Sequence, residues 1–152
     1  MRVDVPSDID TWLKSHLALI LPLAGGIYGA GIDNYKLAKT PALLKLTAKG
    51  LKETYKVIRK ANYPFLPRRL GLISKLPERL LVRLLMRRMA TESSEIAMAG
   101  HTGAARTGMR HLASEFQHLI EQSGVHTPNY DKLMQFMDPT TPVVEEGAET
   151  LP

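Results

Sequence analysis

The chain has 152 residues, 44% hydrophobic and 23% charged, with a formal net charge of +5 and no cysteine. That length suits one domain with a single core, and the balance excludes collagen-like, disulfide-scaffold and wholly disordered classes. Disulfides and thiolate chemistry are excluded too, which is compatible with the cytosol. The charge is unevenly spread: residues 1–33 hold 2 basic and 4 acidic side chains, residues 34–90 hold 15 and 2, and residues 91–152 hold 3 and 9. A basic middle marks a surface for nucleic acid or anionic membrane, or one half of a fold that faces its acidic other half.

Asp4, Asp8 and Asp10, rather than a basic region, precede the first apolar run, so the N-terminus does not read as a secretory signal. Ser7-Asp8-Ile9-Asp10 offers a serine cap with an acid three residues on, which predicts a first helix opening before Trp12 and Leu13. Pro22 has no N–H to give the preceding turn, so this helix is expected to kink there or end by Gly25-Gly26. The run from Leu17 to Ile32 is uncharged, but a spanning helix needs about 20 residues, and Pro22, Gly25, Gly26, Gly29 and Gly31 interrupt this one. No membrane span is expected. The glycines allow sharp turns or close backbone approach, and Asn34 breaks the Gly-x-Gly-x-x-Gly pattern of a nucleotide loop.

Thr40-Pro41 caps a second helix over 41–62, with Leu43, Leu44, Ala48, Leu51, Tyr55, Ile58 and Ala61 on its apolar face. Lys45, Lys49, Lys52, Lys56 and Arg59 or Lys60 make a basic stripe interrupted only by Glu53, expected to be a solvated face. Tyr63-Pro64-Phe65-Leu66-Pro67 reads as an extended connector. From Pro77, Leu80, Leu81, Leu84, Leu85, Met86 and Met89 interleave with Arg79, Arg83 and Arg87. That pattern fits a helix at the edge of a bundle, and a membrane-surface helix shares it. Ile96, Ala99, Ala105 and Met109 suggest helix through the small-residue stretch 91–108.

The longest regular stripe is Met109, Leu112, Phe116, Leu119 and Ile120, closed by Ser123-Gly124 and then Pro128. A long buried helix is expected over 104–124, as the element around which the rest is arranged. A short helix packed back onto it follows, carrying Tyr130, Leu133, Met134, Phe136 and Met137. Residues 138–152 have no apolar period and are expected to be a disordered acidic tail. Period-two alternation is absent, so the fold class is an all-α multi-helix bundle in one domain, residues 1–137.

Chemistry is sparsely signalled. His111 and His118 are not joined by any carboxylate at metal-ligand spacing, and no Gly-x-Ser-x-Gly elbow occurs, so no metal ligand set or hydrolase triad is read. Lys14 stands in the first turns of helix one, beside Trp12. Partial burial there would favour proton donation; the alternative is a surface lysine flanking a core tryptophan.

Trp12-Leu13-Lys14 heads an apolar helix, and the later long helix runs out through Glu121-Gln122-Ser123-Gly124-Val125-His126-Thr127-Pro128 into a short apolar helix. In this the chain resembles, over residues 8–137, the C-terminal domain of the ketopantoate reductase (2-dehydropantoate 2-reductase) family. The resemblance implies a fold similar to the 6-phosphogluconate dehydrogenase C-terminal-like domain. It also implies a role in substrate binding and dimerisation beside an N-terminal Rossmann domain, in a cytoplasmic NADPH-dependent oxidoreductase of pantothenate biosynthesis. Lys14 would be the general acid that protonates the carbonyl oxygen of a 2-oxo acid as hydride arrives. Ala18 stands where the family usually has an asparagine, and Gly108 where it usually has a substrate-binding glutamate. Glu95, in Ser94-Glu95-Ile96, imitates that glutamate's motif and is the candidate substrate-binding residue.

No glycine-rich turn is read that would hold a pyrophosphate, so NADPH is expected only with a Rossmann domain alongside, with no cofactor and no hydride transfer for this chain alone. Two other readings stand beside this one. One is a basic helical module that docks on nucleic acid or anionic lipid through Lys45, Lys49, Lys52, Lys56, Arg79, Arg83 and Arg87. The other is a purely structural dimerisation domain.

Overall fold

A computed structural model of the protein describes residues 5–66, 68–91, 106–138 and 140–151, and every regular element among them is helical. The helices are α1 (Val5–Gly29), α2 (Asn34–Ala38), α3 (Pro41–Lys60), a 3-10 helix (Arg68–Lys75), α4 (Glu78–Met89), α5 (Arg106–Ser123) and α6 (Pro128–Gln135). The all-α expectation is met. Most of the helix expected over 91–108 lies outside the described residues, and so does Glu95.

The centre of the bundle is α3, which touches every other helix. It buries twelve of its 20 residues, from Ala42 to Ile58, and α1 crosses it with residues 21–30 all buried. The stretch expected to be central, α5, lies on one side instead. Met109, Phe116, Leu119 and Ile120 are buried there, while Arg110, His111, Glu115 and His118 face solvent. A clean stripe is the mark of a helix wetted on its other face, whereas a helix covered on most sides shows less contrast in its sequence.

Pro22 does not end α1, which runs unbroken to Gly29. Proline removes the N–H that would bond the Ala18 carbonyl, and α3 replaces it: the buried Thr54 hydroxyl donates to the Ala18 oxygen at 2.7 Å. The glycines after Pro22 serve close approach. A Cβ on Gly25 would stand 2.8 Å from Leu133 Cβ and 2.9 Å from its carbonyl oxygen, and one on Gly50 would stand 2.5 Å from Leu133 Cδ1. So α6 descends onto α1 and α3 where neither carries a side chain. Of Gly25, Gly26, Gly29 and Gly31, it is Gly31 that makes the turn, with a φ of 75° in the left-handed region.

The N-terminus of α6 lacks a cap from its own Thr127 side chain. Glu53, the one acid in the basic stripe, supplies it from α3, accepting from the Tyr130 N–H at 2.8 Å, the Asn129 N–H at 3.3 Å and Asn129 Nδ2 at 2.7 Å. Gly124, at φ 71°, closes α5 as the sequence predicts, with its N–H on the Ile120 carbonyl.

Residues 140–151 differ from the disordered tail expected of them. Val144 is buried and donates its N–H to the last α1 carbonyl, Gly29, at 2.7 Å, and the Ala148 carbonyl accepts from the Ala42 N–H in the first turn of α3 at 3.1 Å. Helix ends leave such groups without partners, so an irregular strand with one apolar anchor can seat there without any period.

Thr54→Val is expected to lower the unfolding free energy by about 1–3 kcal/mol in a denaturant titration. In a Pro22→Ala background the cost should shrink, because the new N–H can bond Ala18 directly; an undiminished cost would show that the hydroxyl does not compensate for the proline. Gly25→Ala should destabilise by about 1–3 kcal/mol despite better helix propensity. Gly50→Ala should cost less, because it meets only the tip of the Leu133 side chain.

Candidate functional site

A second stripe of α1, Leu13, His16, Leu17 and Ile20 at helical spacing, is opposed by Arg69, Leu70 and Ile73 of the 3-10 helix, by Leu84, Leu85 and Arg88 of α4, and by Met109 and Leu112 of α5, with Leu51 of α3 at the join. Together they line a cleft of about 930 Å³, largely apolar, with His16, Arg69 and Arg88 as its polar groups. That size and lining suit a small organic molecule with an apolar body and a charged end. His16 stacks on Trp12, ring centroids 4.7 Å apart and nearly parallel, and burial lowers its pKa from the ordinary 6.5, favouring the neutral imidazole.

Lys14 is not among the residues lining this cleft. It sits beside Leu13 on the next face of α1, its ammonium 2.5 Å from Asp10 Oδ1 one turn back and 4.9 Å from the centroid of the Tyr63 ring. The Tyr63 ring is held there because Ser15, fully buried, donates to the Pro64 carbonyl at 3.3 Å and accepts from the Leu66 N–H at 3.2 Å, fastening the connector to α1. The side chain of Lys14 is 23% exposed. Trp12, by contrast, is no core tryptophan: it is 46% exposed, in line with Ile9 and Leu13.

Of the two positions where the expected reductase pattern is broken, Ala18 is buried with its carbonyl taken by Thr54, and Gly108 is an exposed α5 residue with open space around it. Neither lines the cleft. His111 pairs with Glu115 at 3.3 Å on the exposed face of α5, and among the described residues no group of three or more metal-ligating side chains forms. No helix among them is long and apolar enough to cross a membrane.

Sequence reasoning singled out Lys14 and missed His16, Arg69 and Arg88. The available signal was the second apolar stripe on α1, Leu13, Leu17 and Ile20, whose alignment with His16 implied a face that covers something other than the core. Which arginines close the cleft was not legible, because they come from separate helices. Comparison with protein-family models, curated proteins and solved structures finds no match to this chain.

Because the folded state holds His16 below 6.5, the unfolded chain binds more protons from 6.5 downward, so this residue's contribution to stability falls as pH drops through that window. An NMR titration should place the His16 midpoint below 6.5, and His16→Gln should flatten the loss of stability on acidification from neutral pH.

Proposed function

We propose that the chain acts as the substrate-side helical domain of an oxidoreductase similar to ketopantoate reductase, with Lys14 as proton donor to a 2-oxo acid. The observation that carries this reading is an apolar cleft with arginines at its edge, flanked at the head of α1 by a lysine whose ammonium is held in place by Asp10. The cleft would take the aliphatic body and Arg69 or Arg88 the carboxylate, by charge-assisted hydrogen bonds. Lys14 lies outside the cleft lining. To serve as proton donor, its flexible side chain would leave Asp10 and swing round α1 to the ketone oxygen, handing over a proton as hydride adds to the carbon, and would be reprotonated from water. A nicotinamide nucleotide on a Rossmann domain would supply that hydride; this chain's own part is to bind, orient and protonate. The fold would then be similar to the helical domain of the family, in a cytoplasmic enzyme.

Ile9, Trp12 and Leu13 are exposed in one row at the start of α1, which favours a second reading, that this end is where a Rossmann domain or a second copy docks and the chain is a dimerisation domain alone. Titrating branched 2-oxo acids while following fluorescence of the single tryptophan separates the two. The substrate-domain reading expects saturable quenching, weakened about tenfold or more by Lys14→Ala and by the double change Arg69→Ala with Arg88→Ala, and no NADPH oxidation by the chain alone. Absence of binding, or binding indifferent to both substitutions, would overturn it in favour of the structural one. Turnover by the isolated chain would overturn the need for a second domain.

A further inference from the structure

On the opposite side of α4 from the cleft arginine, the basic middle of the chain closes on itself. Lys45 and Lys49, one turn apart on α3, face Arg79 and Arg83, one turn apart on α4, across a groove of about 660 Å³ floored by Val82. The basic stripe is not a uniformly solvated face: Lys52 donates to the Leu76 carbonyl at 2.6 Å and Arg59 to the Ser74 hydroxyl, both holding the 3-10 helix and its exit against α3. What remains open to solvent between α3 and α4 is therefore a compact set of four cations. One carboxylate joins them. Glu78 Oε1 is buried without a hydrogen bond, and Lys49 Nζ lies 4.0 Å from it, a distance that attracts the ammonium and leaves its donors unused.

From this arrangement we infer that the groove between α3 and α4 is a binding site for a compact polyphosphate anion, such as the phosphate chain of a nucleotide. Two cations one turn apart on each wall stand about 6 Å apart along the axis, so both ends of a short chain of phosphates can be met from both sides. The guanidinium groups of Arg79 and Arg83 suit phosphate because their planar forks pair with two oxygens at once, and lysine ammoniums add point charge. The volume lies in the range of small-molecule sites. A long nucleic acid is the weaker fit: the next stripe lysine, Lys52, is already bonded to Leu76, and no aromatic side chain lines the groove on which a base would stack. The inference is independent of the reading of Lys14 and of the cleft.

Calorimetric titration with inorganic tripolyphosphate tests it, using the intact chain and two double variants that remove equal charge: Arg79→Gln with Arg83→Gln, and Lys56→Gln with Lys60→Gln. All four side chains are exposed, and circular dichroism checks that the helices persist. The expected result is saturable one-to-one binding that weakens with salt, falls about tenfold or more in the arginine variant and is little changed in the lysine variant. ATP should compete, and a single-stranded oligonucleotide should bind no more tightly per phosphate. No saturable binding, or equal losses in both variants, would overturn the site as diffuse charge. Binding to oligonucleotide or to phosphatidylserine vesicles without binding to tripolyphosphate would overturn it in favour of a polymer or a membrane surface.

Discussion

The carbonyl of the fully buried Ala18 is left by Pro22 without the donor that its own helix would provide. Burial of an unpaired carbonyl costs about 1–3 kcal/mol, enough to matter against the stability of a domain this size. Thr54 meets that need from α3, and the same bond fixes the register in which α1 and α3 cross. Much of the architecture follows from that register. Gly25 and Gly50 come to face the same leucine, Leu133, so α6 can seat in the seam, and Glu53, one residue before Thr54, reaches the free N–H groups at the start of α6. Leu133, fully buried, is the residue that this convergence encloses.

With α1, α3 and α6 sealed together, the amphipathic helices left over set what the protein offers to other molecules. One face of α1 is absorbed by the seam; the other, with His16 among leucines, is left to line a cleft that α4, α5 and the 3-10 helix complete. The connector fastened to Ser15 carries Tyr63 under Lys14, so a residue with four flexible carbons is kept between a carboxylate and an aromatic face. Charge is sorted in the same way. Some of the basic stripe is turned inward to hold irregular chain, as Lys52 does at Leu76, and the remainder gathers with the arginines of α4.

The tail shows how little an irregular segment needs. Val144 has no periodic partners, yet its N–H reaches the end of α1 and Ala148 the start of α3, at helix termini that are short of partners. Among the acidic residues near it, Glu146 lies 4.0 Å from Lys39, an exposed pair that contributes little to stability.

By itself the sequence determined the helical class, the start of α3 at Thr40-Pro41, the end of α5 at Gly124 and the amphipathic face of α5. Each of these depends on residues within a few positions of one another, where periodicity, capping and the left-handed preference of glycine act directly. The tertiary structure decided that α3 is the centre, that Pro22 is tolerated, that Gly25 and Gly50 mark contact, that Glu53 is a cap, and that His16, Arg69 and Arg88 share a cleft without Lys14. Those outcomes join residues distant in the chain. Whether a proline breaks a helix depends on a hydroxyl 36 residues away reaching the orphaned carbonyl, and no local pattern records that.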